Sequence, residues 1–226
     1  MPAAMPPIVS HEEWEAARLR LLEREKEVTR SRDALAAERR RMPMARVEKR
    51  YAFEGPDGPA TLFDLFDGRR QLIVYRFFMD PDMAAYPERG CPGCSFGADQ
   101  LTHLAHLRAR DTNYVAVSRG AQEHLQRYRA HMGWEFPWYT TLDSFSEDFD
   151  VPEWHGTNVF FRDDADQIYR TYFVNNRGDG ELGTVWSMLD LTPYGRQELW
   201  EDSPEGWPQT PPYEWWRYHD HYDDRP

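Results

Sequence analysis

The chain has 226 residues and two cysteines, Cys91 and Cys94, held apart by Pro92 and Gly93. Two sulfurs at this spacing, on the first turn of a helix, can close a disulfide or share one metal ion. A helix start presents unpaired N–H groups and the positive end of the helix dipole. Both stabilise a thiolate and lower its pKa below the ordinary value of roughly 8.5. Because the thiolate is the attacking species, Cys91, nearer the helix start, is the expected nucleophile and Cys94 the resolving thiol. Pro92 suits the first helical turn, where its missing N–H costs little. Two other readings stay open: ordinary buried cysteines, or half of a zinc site. The second needs two more ligands, and the sequence has no second cysteine pair.

The elements that would position these sulfurs are legible on both sides. Leu72 to Phe78 is a short apolar run rich in branched and aromatic side chains, the pattern of a strand covered on both faces. Ser95 to Arg108 carries Phe96, Leu101, Leu104, Ala105 and Leu107 near helical spacing, predicting one amphipathic helix. Tyr114 to Ser118 reads as a second buried strand, and Gln122 to His131 as a helix stopped by Gly133. Trp134 to Tyr139 reads as an aromatic connector. Asn158 to Arg162 and Gln167 to Phe173, joined by the acidic turn Asp163 to Asp166, form a hairpin. A weaker helical signal covers Thr184 to Leu189.

Upstream, Ser10 and Glu13 form a capping box for a long helix running to about Arg40. Its apolar stripe, Trp14, Leu21, Val28 and Leu35, alternates with the charged Arg18, Glu25 and Arg32. Such a stripe predicts docking on the body or on a second copy, giving a homodimer. Tyr51 to Leu62, with Gly and Pro between, predicts a second hairpin. The expected organisation is a helical extension over 1–44, an α/β domain over 45–182, and a C-terminal helix with an irregular, surface-wrapping aromatic tail over 183–226. In the α/β domain, a mixed sheet carries helices on both faces. Right-handed crossovers place the cysteine turn at the C-terminal end of the central strand.

A net charge of −12 argues against nucleic acid or anionic membrane as a partner. Aromatic residues make up 15% of the chain, and many of the nine tryptophans sit in its last third. No apolar run approaches the roughly 20 residues that span a bilayer, and the first residues lack the pattern of a secretory signal. The expected location is the cytoplasm, where a cysteine pair is catalytic or metal-binding more often than structural.

The strand Leu72 to Phe78, the Cys91-Pro92-Gly93-Cys94 turn, the strand Tyr114 to Ser118, the segment containing Pro137, and the hairpin Asn158 to Phe173 together resemble the thioredoxin-like superfamily, in particular its peroxiredoxin-related and thiol-reductase branch. More narrowly, Gly90 to Phe96, Val115 to Arg119, Met132 to Trp138 and Leu189 to Arg196 are similar to the bacterial family DUF899. That resemblance covers nearly the whole chain and implies a thioredoxin-like fold.

The resemblance supplies no established reaction; the Cys91–Cys94 dithiol in this setting predicts thiol–disulfide exchange needing no cofactor, with a disulfide or peroxide substrate and a thiol electron donor as partners. Met79, Tyr86, Pro92 and Trp138 are expected to wall the substrate site. Two features depart from the reductase pattern: Met79 to Gly90 separates the strand from the cysteines, and no proline adjoins Asn158. Peroxiredoxins carry a Pro-x-x-x-Thr/Ser-x-x-Cys loop. Laid on it, Pro87, Cys91 and Cys94 would make Cys94 a thiol-peroxidase nucleophile, with a cysteine where the hydroxyl belongs. Copper-delivery proteins of the Sco type imply a third reading, in which Cys91, Cys94 and His155 bind copper or zinc. A non-catalytic interaction module built on the long helix is the fourth. His103 and His106 read as solvated, His219 and His221 as either a chelating pair or simply part of a disordered polar end, and Asp163, Asp164 and Asp166 as turn residues.

Overall fold

The computed structural model describes residues 6–81 and 89–222. Helix α1 (His11–Arg39) opens on the expected capping box, with the Glu13 N–H donating to Ser10 Oγ at 3.2 Å and the Ser10 N–H donating to the Glu13 carboxylate at 2.9 Å. No residue of α1 is buried, and Trp14, Leu21, Val28 and Leu35 are each about half exposed. The expected docking of its stripe on the body is therefore not seen. Arg39, in its last turn, lies 4.5 Å over the Tyr172 ring.

The body is one sheet built from β1 (Ala45–Arg46), β2 (Ala52–Gly55), β3 (Gly58–Thr61), β4 (Gln71–Arg76), β5 (Thr112–Ser118), β6 (Trp138–Thr141), β7 (Gly156–Arg162) and β8 (Ile168–Val174). The spatial order is β1-β8-β7-β4-β5-β6-β2-β3. Strands β4, β5 and β6 run parallel, while β7 pairs antiparallel with β4 and β8 antiparallel with β7. At the centre, a strand–helix–strand crossover is flanked by an antiparallel hairpin, the thioredoxin-like arrangement that the sequence resemblance implied. The β7–β8 hairpin turns at the acidic residues as expected, with Arg162 opposite Ile168.

Alternation along β4 and β5 splits the core in two. Leu72, Val74, Val115 and Val117 face one side, with Phe53, Phe66, Phe145, Phe149 and Phe160. Tyr75, Phe77, Tyr114 and Ala116 face the other. That second side is covered by α2 (Pro92–Asp99) and α4 (Gln122–Met132). Gly133 ends α4 in the left-handed conformation, φ 70°, as its position predicted.

Two expectations need correction. The single helix over Ser95 to Arg108 is two: α2 ends at Asp99, and α3 (Leu104–Arg108) starts anew at His103, whose Nδ1 accepts the Ala105 N–H at 3.2 Å. A side chain that caps its own backbone competes with a continuous helix. The connector Trp134 to Tyr139 ends in β6, because Trp138 to Thr140 pair with Ala116 to Ser118. A short helix, α5 (Phe145–Asp148), follows. Among the described residues the tail has α6 (Thr184–Leu189) and short turns, and it folds back over α2.

Candidate active site

The dithiol turn sits at the C-terminal end of β4, where the topology predicted it. The Cys91 N–H donates to the Phe78 carbonyl at 3.2 Å, and the Phe78 N–H points at Cys94 Sγ at 3.5 Å. Cys91 is the N-cap of α2 in extended conformation (φ −72°, ψ 128°), and Pro92 opens the first turn. Both cysteines are free thiols, Cys91 half-buried and Cys94 only 1% exposed.

These environments separate the two thiols. The Cys94 S–H bonds the Cys91 sulfur, and with the backbone N–H groups of Cys94 and Gly93 and the charge of His155 it lowers the Cys91 pKa to about 6 against the cost of burial. Burial pushes Cys94 well above its ordinary value, reinforced by the neighbouring Cys91 sulfur. Near neutrality one sulfur is a thiolate and the other a hydrogen-bond donor to it, an arrangement suited to attack by the first and later release by the second. Attack on peroxide by Cys94, the peroxiredoxin overlay, runs against this burial, and the overlay's Pro87 lies outside the described residues.

His155 immediately precedes β7 and its Nδ1 shares a hydrogen bond of 2.7 Å with Asp179 Oδ2. Among the described residues, no three of the His, Cys, Asp and Glu side chains converge closely enough to hold one metal ion. Cys91, Cys94 and His155 therefore share a cavity wall without forming a common ligand set.

That cavity, of about 980 Å³, lies between the dithiol turn, the β7–β8 face of the sheet and the C-terminal segment. Cys91 and Pro92 line it together with Thr157, Val159, Tyr172 and Val174 from the sheet. Trp186, Trp200, Tyr213 and Trp216 close it from the tail. Of the three described residues expected to wall the site, Pro92 does so and Met79 and Trp138 do not. Met79, 3% exposed, and Trp138, fully buried, belong to the core under α4, with the Trp138 indole donating to Ser118 Oγ at 3.0 Å. Tyr86 lies outside the described residues.

The tail tryptophans and Asp179 were missed, and the clustering of tryptophan near the C-terminus was their only signal. Trp216 stacks on Phe96 of α2 at 5.2 Å and 5°, and Trp186 and Trp215 pack on the same ring at 5.1 Å. The tail is pinned further by Tyr218 Oη donating to the Gly90 carbonyl at 2.9 Å. His219 lies 2.9 Å from Asp99, and Arg89 pairs with Asp220 at 3.2 Å, so His219 is a tether for the tail.

The family model DUF899, a bacterial protein of unknown function, matches residues 3–222. No curated protein matches the chain. Among solved structures, a cysteine-to-serine mutant of PrxQ from Xylella fastidiosa is 16% identical, with 62% of this chain and 92% of that one covered and a TM-score of 0.43. The peroxidoxin BcpB from Mycobacterium tuberculosis is 14% identical, with 62% and 92% covered and a TM-score of 0.46. A protein from Chlorobium tepidum described as a putative thiol:disulfide interchange protein DsbE is 14% identical, with 62% and 93% covered and a TM-score of 0.40. With the family match extending through the helix, the sheet, the dithiol turn and the tail, the chain belongs to the DUF899 family of bacterial proteins.

Proposed function

We propose that the protein is a thiol–disulfide oxidoreductase with Cys91 as nucleophile and Cys94 as resolving thiol. What supports the reading is the asymmetry of the pair: an N-cap sulfur with a pKa of about 6 beside a buried sulfur held protonated. The Cys91 thiolate attacks one sulfur of a substrate disulfide, forming a mixed disulfide and releasing the other half as a thiolate. Cys94 then gives up its proton and attacks Cys91 Sγ, which closes the Cys91–Cys94 disulfide and frees the second half. The substrate gains two electrons and the protein loses two, to be restored by an external thiol donor.

Local structure serves each step. Pro92 and Gly93 keep the turn tight, and Gly93 admits the tail: a Cβ there would lie 2.9 Å from the Trp216 ring. The hydrogen bond to Asp179 orients the His155 imidazole on the cavity wall. Reduction of a small disulfide by the purified protein is expected to vanish in Cys91→Ser. In Cys94→Ser it is expected to stall at a mixed disulfide visible as added mass. Unchanged turnover in Cys91→Ser would remove the reading.

A further inference from the structure

The cavity facing the dithiol carries chemistry of its own. Its volume of about 980 Å³ stands at the upper end of the range, roughly 300–1,000 Å³, that encloses small organic ligands. Its roof rests on the dithiol turn itself, through the Trp216–Phe96 stack and the Tyr218 bond to Gly90. A disulfide loop on a folded protein would have to displace that roof to reach Cys91, whereas a small molecule would lie beneath it.

The lining then sets what kind of small molecule fits. Trp200, Trp216 and Tyr172 line it with aromatic rings, apolar wall against which an aromatic body can pack. The Trp216 indole N–H is buried with no hydrogen-bond partner, so it offers a donor to an incoming acceptor. The Arg177 guanidinium lies 3.7 Å over the Trp200 ring, and that of Arg39 lies 4.5 Å over Tyr172. Stacking occupies the face of a guanidinium and leaves its N–H edge for a carboxylate. Among the described residues neither arginine pairs with a carboxylate. Of the carboxylates on the wall, Asp179 bonds His155 through Oδ2 while its Oδ1 is buried without a partner, and Glu198 accepts from the indoles of Trp200 and Trp215. In a chain of net charge −12, this cavity thus carries two arginines, Arg39 and Arg177, without a carboxylate partner among the described residues.

We propose that the cavity receives a small organic disulfide with an aromatic body and a carboxylate, and that it turns away disulfides of folded proteins. This rests on the dithiol reading above. The Cys91 thiolate and the Cys94 thiol together donate two electrons, the substrate S–S bond breaks, and the products are one thiolate, one thiol carrying the Cys94 proton, and the Cys91–Cys94 disulfide.

The test compares single-turnover reduction of dithiobis(nitrobenzoate), bis(hydroxyethyl) disulfide and insulin by the reduced protein, each rate divided by that of a free thiol. The expected result is saturation with the aromatic carboxylate, a linear dependence with the hydroxyethyl compound, and negligible reduction of insulin. Arg177→Gln, and separately Val159→Phe, which fills the cavity from the sheet side, should each lower the aromatic-to-hydroxyethyl ratio about tenfold. Calorimetry on the Cys91→Ser/Cys94→Ser double variant reads binding without chemistry. It should show saturable uptake of dithiobis(nitrobenzoate) that Arg177→Gln weakens. Rates that follow free-thiol reactivity throughout, with no calorimetric binding, would overturn the proposed substrate class and leave the dithiol reading standing. Binding with no reduction of any disulfide would overturn the dithiol chemistry, and the proposed reduction with it. Insulin reduced faster than the aromatic disulfide would overturn the claim that folded proteins are turned away.

Discussion

In the proposed reading two sulfur atoms carry the chemistry, and what separates them is where each sits on α2. Cys91 caps α2 and faces N–H groups, while Cys94 turns into the core below Phe78. The Cys91 pKa, lowered to about 6, also links pH to the stability of the reduced protein. A folded-state pKa below the unfolded value of roughly 8.5 gives stability that is fully present above pH 8.5 and is lost as pH falls through about 6. The unfolding free energy of the reduced protein, read from urea titrations, should therefore fall between about pH 8.5 and pH 6 by an amount on the order of 3 kcal/mol, and Cys91→Ser should flatten that slope. An equal slope in the variant would assign the pH dependence to other groups. The sequence made this pair legible because a C-x-x-C turn before an apolar helix is a local pattern. It could not reveal Trp216, Arg177 or Asp179 as neighbours of that turn, since all three lie more than 80 residues away along the chain. Met79 and Trp138 misled for the reverse reason, being near the site in sequence pattern yet packed in the core under α4, on the same side of the sheet as Cys94 but away from the cavity.

At the scale of elements, α2 is the joint between core and tail. Its inner face, with Cys94 and Ala98, packs into the core, and Phe96, 6% exposed, carries three tryptophan rings from the C-terminal segment. Phe96→Ala is expected to cost about 3–5 kcal/mol and to release the tail from the dithiol turn, read as a lower urea midpoint with a loss of near-ultraviolet circular dichroism. Retention of the full aromatic signal would show that the tail is held elsewhere. The strands were legible because β4, β5, β7 and β8 are apolar runs between clear turn residues. The break between α2 and α3 was not, because its apolar positions keep helical spacing across Gln100 to His103 while the His103 ring caps the new start. The pairing of β6 was hidden by its four-residue length.

At the scale of the molecule, the protein divides into a packed body closed by its own tail and a long helix that shares little with either. Helix α1 buries no residue, and hydrogen bonds such as Arg18 to Glu15 at 2.6 Å, an i,i+3 pair, support it locally. Deleting residues up to 39 should change the body's unfolding free energy by no more than about 1 kcal/mol, since exposed contacts contribute little. Amides of α1 should exchange far faster than those of β4 and β5, as local opening there breaks no core contact. A large loss of stability on deletion would mean that the stripe Trp14, Leu21, Val28 and Leu35 is covered in solution. The thioredoxin-like order of elements was legible in the sequence. The route of the tail over α2 was not, because prolines and tryptophans without periodicity announce an irregular segment but not its path.

The most direct test of the central claim is the rate of alkylation of Cys91 by iodoacetamide as a function of pH, in the native protein and in Cys94→Ala. The account predicts a single rise centred near pH 6 in the native protein, because the thiolate reacts and the pKa is held at about 6. In Cys94→Ala, which lacks the largest of the stabilising hydrogen bonds, the rise should move toward the ordinary cysteine range near roughly pH 8.5. A native midpoint already near 8.5, unmoved by Cys94→Ala, would contradict it.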